Sequence, residues 1–368
     1  MNAVIPSDSG MTACVGFSCA MNKILIVGPS WVGDCMLMQP MLMRLKQRHS
    51  GCRIDVLAPP WTAVLLHAMP EVHDVIVNPF PHGALHLAAR YQLGKQLRAA
   101  HYDQAIVLPN SLKSALVPLF ARIPLRTGFV GEARYGLLND ARRLDKTVLP
   151  LMVERFAQLA ETPDGKIPHP LADPKLTVTA AQRDATLNKL GLRLDQPVAV
   201  FCPGAEYGPA KRWPAAYYAE TAQRLHKLGY AVWLIGSNKD RDVAETIVAL
   251  SNQSSGNQSS GNQTCRNLCG STDLADAIAL LSVAQLVISN DSGLMHLAAA
   301  LDRPMLALFG SSSPQFTPPL SAQAQVVKLD IECSPCFKRE CPLGHFNCMN
   351  QLTPDLVWKK IRRVTPQH

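Results

Sequence analysis

The chain has 368 residues, 47% hydrophobic and 17% charged, which excludes a disordered protein and leaves room for two domains with separate cores. The formal net charge of +8 suits an anionic partner, but Lys and Arg are scattered and only 6% of residues are aromatic, which argues against nucleic acid. No stretch reaches the roughly 20 apolar residues that span a bilayer, and eleven scattered cysteines without a secretory leader point to reduced thiols in the cytosol.

Residues 1–20 hold no Lys or Arg for the basic region of a signal peptide and are expected to be a disordered extension ahead of Met21. Residues 24–27 read as a short buried strand. The turn Gly28-Pro29-Ser30-Trp31-Val32-Gly33-Asp34 follows, then a helix with Met36, Leu37, Met41, Leu42 and Leu45 on its apolar side. Ser30 replaces the second glycine of a dinucleotide fingerprint, and no Gly-Lys-Ser/Thr follows, so the turn is neither GxGxxG nor a P-loop. Asp34 places a carboxylate where a phosphate binder avoids negative charge. It is a candidate for acid/base work, with a helix-capping aspartate as the alternative.

Strands are expected at 53–58, 75–77 and 103–108, and helices at 62–68 and 84–100. The alternation predicts a parallel, doubly wound sheet whose ligands sit at the carboxyl ends of the strands. Asn110, Ser111 and Lys113 stand at one such end, where Lys113 either meets an anionic acceptor or is simply solvated. Residues 131–136, with Arg134, read as a loop with cationic reach. The stretch 162–175 is Pro-rich and aperiodic, which sets a first domain at 21–165, a linker at 166–175 and a second domain at 176–352.

A second series repeats the pattern: a helix at 180–191, a strand at 198–201, a helix at 217–228 and a strand at 231–235. The first of these strands runs into a Gly-rich turn with Gly204, Lys211 and Arg212. The second ends near Asp240, a natural site for ribose or base contacts. Residues 252–263 repeat Asn-Gln-Ser-Ser-Gly, too polar to pack and expected to be a mobile surface loop. After a helix near 273–283, the strand at 286–288 stops at the polar quartet 289–292 and Gly293, where an alanine-rich helix begins. Free N–H groups at such a start form an anion site, with Asp291 or Ser292 as the cap and Gly293 letting a phosphate approach the backbone. The alternative is an ordinary strand-to-helix loop.

A strand at 304–309 leads to a tail with Cys333, Cys336, Cys341, Cys348 and His345. Four such sulfurs could close a tetrahedral zinc or hold an iron–sulfur cluster, but the spacing is that of no standard finger or ribbon. Reduced thiols are the favoured expectation. Residues 353–368 contain an amphipathic terminal helix.

A Gly-rich turn followed by Lys211 and Arg212, with Asp240 and the helix start at Ser292-Gly293, suits a nucleotide diphosphate. Asp34 on the facing domain suits removal of a proton from an acceptor hydroxyl. Group transfer from an activated diphosphate fits this set, and no metal-binding Asp-x-Asp pair is needed for it.

Several motifs occur in order: Gly28-Pro29-Ser30-Trp31-Val32-Gly33-Asp34, Leu108-Pro109-Asn110-Ser111, Arg134-Tyr135-Gly136, Pro203-Gly204-Ala205 with Lys211-Arg212-Trp213-Pro214, and Asn290-Asp291-Ser292-Gly293-Leu294-Met295-His296. Together with the cysteine-bearing tail, this set resembles the lipopolysaccharide heptosyltransferases of glycosyltransferase family 9. The resemblance implies a GT-B fold and transfer of L-glycero-D-manno-heptose from ADP-heptose to the first heptose of the lipopolysaccharide inner core, with inversion. It implies Asp34 as base, Lys211 as donor-phosphate contact, and Asp291, Ser292, Gly293 and His296 as the donor loop. On the acceptor side it points to Gly33, Asn110, Ser111, Lys113 and Arg134. No cofactor is required by it, and stimulation by a divalent cation is compatible with it. It further implies a cytoplasmic protein, peripheral on the inner membrane where its acceptor lies, whose terminal helix returns to pack on the first domain. A transferase of the same fold with another acceptor, a nucleotide-sugar epimerase of GT-B shape, and a non-catalytic nucleotide- or metal-binding module stay open as alternatives.

Overall fold

Ile24, Leu25 and Ile26 have no exposed surface, so the first strand, β1 (Lys23–Val27), is apolar on both faces, as a strand covered by helices on both sides must be. The computed structural model describes residues 21–81, 83–253 and 264–364. The expected extension at 1–20 and all but the first two residues of the repeat at 252–263 lie outside the described residues.

Five more strands join β1 in the first sheet: β2 (Arg53–Ala58), β3 (Asp74–Val77), β4 (Gln104–Val107), β5 (Leu125–Phe129) and β6 (Asp140–Arg142). Every pairing is parallel, in the order β3-β2-β1-β4-β5-β6. The helices of this half are α1 (Val32–Arg48), α2 (Ala63–His67), α3 (Leu87–Leu97), α4 (Leu116–Phe120) and α5 (Met152–Gln158).

The second half repeats the plan with helices α6 (Ala180–Leu190), α7 (Ala215–Lys227), α8 (Arg241–Gln253), α9 (Leu274–Ser282), α10 (Gly293–Ala300), α11 (Asn347–Asn350) and α12 (Pro354–Val364). Its strands are β7 (Val198–Cys202), β8 (Ala231–Leu234), β9 (Cys265–Asn267), β10 (Leu286–Asn290), β11 (Met305–Phe309) and β12 (Ala324–Lys328). They are all parallel, in the order β12-β11-β10-β7-β8-β9. Two doubly wound sheets of this kind make a GT-B fold.

The halves share one apolar cluster, which runs from Met36 and Met41 of α1 to Met295 and Leu297 of α10. Gln39, fully buried in α1, clasps the connecting segment: it accepts from the Lys175 amide at 2.9 Å and donates to the Lys175 carbonyl at 3.1 Å. One residue on, the Leu176 amide donates to the Ala300 carbonyl of α10 at 2.9 Å. From α5, the Met152 amide reaches the Phe316 carbonyl at 2.9 Å and Arg155 lies 4.7 Å over the Phe316 ring.

The terminal helix does not return to the first domain. Val357 and Ile361 of α12 are buried in the second sheet's core with Trp213 and Leu308. Arg224 of α7 pairs with Asp355 at 2.7 Å and lies 5.7 Å over the Trp358 ring. The apolar face of α12 is therefore spent on its own domain, which corrects the expectation drawn from the resemblance.

Candidate active site

The carboxyl ends of both sheets face a cleft of about 670 Å³. The first half contributes Ser30, Trp31, Val32 and Gly33 from the turn between β1 and α1, and Trp61 beside it. Trp61 Nε1 donates to the Ser30 carbonyl at 2.9 Å and so holds that turn against the loop after β2. From the second half come the turns after β7 (Gly204 to Glu206), β8 (Gly236, Ser237, Asp240) and β9 (Thr272 to Leu274), and the start of α10 (Ser292 to Leu294). Leu274 and Ala277 form an apolar wall, while the α10 start brings backbone N–H groups. A flat apolar base and an anion would both find partners here.

Ser292 occupies the N-cap position of α10 in extended conformation, yet its side chain makes no cap hydrogen bond. The Asp291 carboxylate is not the cap either, because it pairs with Lys211 Nζ at 2.6 Å. Neither expected cap therefore satisfies the first-turn N–H groups of α10. Gly293 is needed for a different reason from the expected one. A Cβ there would lie 3.0 Å from Val32 Cβ, so its missing side chain lets the two halves touch.

A charged cluster stands beside the lining. Lys211 and Asp291 form its largely buried ion pair, with 16% and 5% of their side chains exposed. Asp34, in the first turn of α1, lies within electrostatic reach of both. Its carboxyl is pushed up to about 6, chiefly by burial; Lys211 holds it down and Asp291 pushes it further up. A carboxylate tuned to that range is ionised near neutral pH yet basic enough to take a proton. His296 of α10 is buried and held down to about 4, first by burial, so its imidazole is neutral at working pH. Asp34, Lys211, Asp291 and His296 thus come together from both halves.

Asn290, the last residue of β10, fixes Lys211 in place. Its Oδ1 accepts from the Trp213 amide at 3.2 Å and the Tyr218 hydroxyl at 3.1 Å, and its Nδ2 donates to the Pro203 carbonyl at 2.7 Å. The loop from 203 to 213 is thereby stitched to the strand that leads into Asp291. Sequence reasoning passed over Asn290 as a working residue. Its full burial and amide chemistry emerge only when β7 and β10 are neighbours.

Asp240 lines the cleft, but much of its hydrogen-bonding capacity is used locally. Its Oδ2 accepts from the Ser237 amide at 3.0 Å and hydroxyl at 2.8 Å, and Arg212 stands 3.6 Å from Oδ1. A Cβ on Gly204 would meet the Asp240 carboxylate at 2.4 Å, so glycine there lets the two turns close. Arg212 itself does not line the cleft, and its Nε is buried without a partner.

The expected acceptor residues divide. Gly33 lines the cleft, whereas Asn110, Ser111, Lys113 and Arg134 do not. Arg134 is 1% exposed, and its guanidinium is turned inward. It donates to the Pro109 carbonyl at 2.6 Å, to the Phe129 carbonyl and to Asn110 Oδ1 at 3.2 Å. It buttresses the loop after β4 instead of reaching outward, because four acceptors, with Ser114 Oγ at 3.2 Å as the fourth, converge on a planar donor fork. Lys113, half-buried on the same loop, forms no ion pair among the described residues.

Cys333, Cys336, Cys341 and Cys348 line one pocket of about 20 Å³ with His345. The Phe346 amide donates to Cys341 Sγ at 3.4 Å. Even so, no group of three or more His, Cys, Asp or Glu among the described residues is arranged to hold a metal ion. The zinc or iron–sulfur expectation gains no support among the described residues, and none of the four cysteines forms a disulfide. No helix among the described residues is long and apolar enough to cross a membrane.

Comparison with known proteins agrees with this geometry. The profile of Glycosyltransferase family 9 (heptosyltransferase) matches residues 90–347. Lipopolysaccharide heptosyltransferase 2 of Salmonella typhimurium is 47% identical over 93% of this chain and 98% of its own. Its Escherichia coli counterpart is 46% identical over 94% and 99%. The solved structure of E. coli ADP-heptose lps heptosyltransferase II superposes with a TM-score of 0.83 at 44% identity, covering 93% of this chain and 98% of that one. E. coli heptosyltransferase WaaC with ADP shares the fold at a TM-score of 0.66 and 22% identity, over 93% and 100% of the two chains.

Proposed function

The chain belongs to glycosyltransferase family 9, the heptosyltransferases, and we propose that it moves heptose from ADP-heptose to the first heptose of the lipopolysaccharide inner core. The observation that carries this reading is the meeting of Asp34, from one half, with the Lys211–Asp291 pair and the α10 start, from the other.

The donor lies on the second half. Its adenine rests against Leu274 and Ala277, and its diphosphate meets the open N–H groups of α10 at Gly293 and Leu294. Lys211, oriented by Asp291, adds the cation. Gly204, Asp240 and Ser292 shape the walls, Arg212 steadies Asp240, and neutral His296 backs the loop from inside the helix. The acceptor approaches from the first half, over Gly33, with Lys113, Asn110 and Ser111 at the neighbouring strand end. We assign residues 21–165 to that acceptor side and 176–352 to the donor side.

Reaction is a single displacement. An acceptor hydroxyl attacks heptose C1 from the face opposite the diphosphate as the C1–O bond to the β-phosphate breaks, so the anomeric configuration inverts. The hydroxyl proton passes to Asp34, and the electron pair of the breaking bond leaves on ADP, whose charge the α10 start and Lys211 stabilise. No metal is required by these residues. The acceptor's lipid anchor would hold the enzyme on the cytoplasmic face of the inner membrane.

The test is incubation with ADP-heptose and defined truncated core acceptors, followed by mass measurement. A gain of one heptose on an acceptor that ends in a single heptose supports the reading. Gain only on an acceptor that lacks heptose would replace it with another acceptor preference.

A further inference from the structure

The cysteine-bearing tail sends one side chain into the cleft. Arg339 lines it together with Ser292, Gly293 and Glu206. The backbone of this tail segment is clamped to the turn after β7. The Ala210 amide donates to the Arg339 carbonyl at 3.0 Å, and a Cβ on Gly208 would lie 2.4 Å from that carbonyl oxygen. Tyr207 adds a further link, its hydroxyl donating to the Phe337 carbonyl at 2.9 Å, while the Phe337 amide donates to Ser311 at 2.7 Å.

The guanidinium lies 5.3 Å from the Tyr207 ring centroid, and Lys211 Nζ lies 5.1 Å from the same centroid. Two cations thus share one aromatic ring, which orients both. They differ in their partners. Lys211 is paired with Asp291, Lys239 with Glu206 and Arg212 with Asp240, whereas Arg339 pairs with no carboxylate among the described residues. An exposed arginine on a clamped backbone, beside a helix start and a second cation, presents a planar fork to an incoming anion.

We propose that Arg339 is a substrate-binding residue that holds the diphosphate of the nucleotide donor, and that the tail's role in the enzyme is to deliver it. The proposal rests on the donor reading given above. Removing the side chain leaves the clamp untouched, because the clamp is made by the Arg339 carbonyl and not by the guanidinium.

The test compares ADP binding by calorimetry and the melting temperature of the ligand-free full chain for the wild type, Arg339→Gln and Arg339→Lys. The expected result is ADP affinity about tenfold weaker in Arg339→Gln, recovered in large part by Arg339→Lys, with both melting temperatures unchanged. Unchanged ADP affinity in Arg339→Gln overturns the proposal. So does a loss shared equally by Arg339→Lys and accompanied by a lower melting temperature, which would mark a packing role. If the wild type itself fails to bind ADP, the donor reading falls first and the proposal with it.

Discussion

A Cβ built on Gly33 would lie 2.8 Å from Cδ2 of His296. The turn that carries Asp34 therefore closes directly on α10, the helix that carries His296, with no room for a methyl group between the two halves at this point. Gly33→Ala must displace His296 or part the halves at this seam. We expect a stability loss of about 1–3 kcal/mol by denaturant unfolding, as for overpacking elsewhere, together with a fall in turnover. Unchanged stability and turnover would show that the seam yields freely.

Asp34 costs the fold something. Its carboxyl ionises at about 6 in the folded protein, against 3.8 ordinarily. Below the lower value both folded and unfolded chains are protonated and the site is stable. As pH rises between the two, only the unfolded chain loses its proton, so stability is lost until the folded carboxyl has also ionised. Asp34→Asn should then raise stability above pH 6 by on the order of 3 kcal/mol, and the gain should shrink as pH falls toward 4. Denaturant titrations of both proteins at several pH values measure it.

Breaking the Lys211–Asp291 pair from one side leaves a buried carboxylate without its cation. Lys211→Ala should weaken ADP binding and lower turnover, and destabilise the chain by about 3–5 kcal/mol. Adding Asp291→Asn should return part of that stability without returning activity. A double variant no more stable than the single one would show that the two groups do not depend on each other.

Asn290 serves three partners on the 203–218 segment at once. Asn290→Ala strands the Trp213 amide in the core, at about 1–3 kcal/mol for a group left unpaired, and leaves the Tyr218 hydroxyl with only its longer contact, 3.4 Å to the Cys202 carbonyl. The expected readouts are a lower unfolding midpoint and weaker ADP affinity, since Lys211 lies on the freed loop. Asn290→Asp retains an acceptor but loses the donor to Pro203, and should fall between the two.

The strong periodic elements were legible in the sequence. Residues 53–58 form the expected strand, and the strand–turn–helix units around Asp34 and Asp291 stand where their apolar runs and turns put them. Short edge strands were missed, among them β9 with three residues and β6, whose Asp-Ala-Arg carries no apolar run. The expected helix at 84–100 starts only at Leu87 and ends in a 3-10 turn. In the site, residue chemistry singled out Asp34 and Lys211, but not the ion pair that Lys211 makes with Asp291. Arg134 reads as a free cation in one dimension and is a buried buttress in three. Gly293 reads as room for phosphate, yet its space is taken by Val32. Arg339 carried no sequence signal at all, because only the fold of the tail brings it to the cleft.

The base assignment is tested most directly by Asp34→Asn, measured for ADP-heptose affinity and for turnover across pH. In the wild type, turnover should rise with pH through about 6 and level off above it, as the carboxyl becomes the base. Asp34→Asn should lose about 10²- to 10⁴-fold in turnover and that pH limb with it, while donor affinity, set on the opposite half, stays close to wild type. An Asp34→Asn enzyme that turns over normally, or that keeps the limb near pH 6, would contradict the assignment of Asp34 as the base.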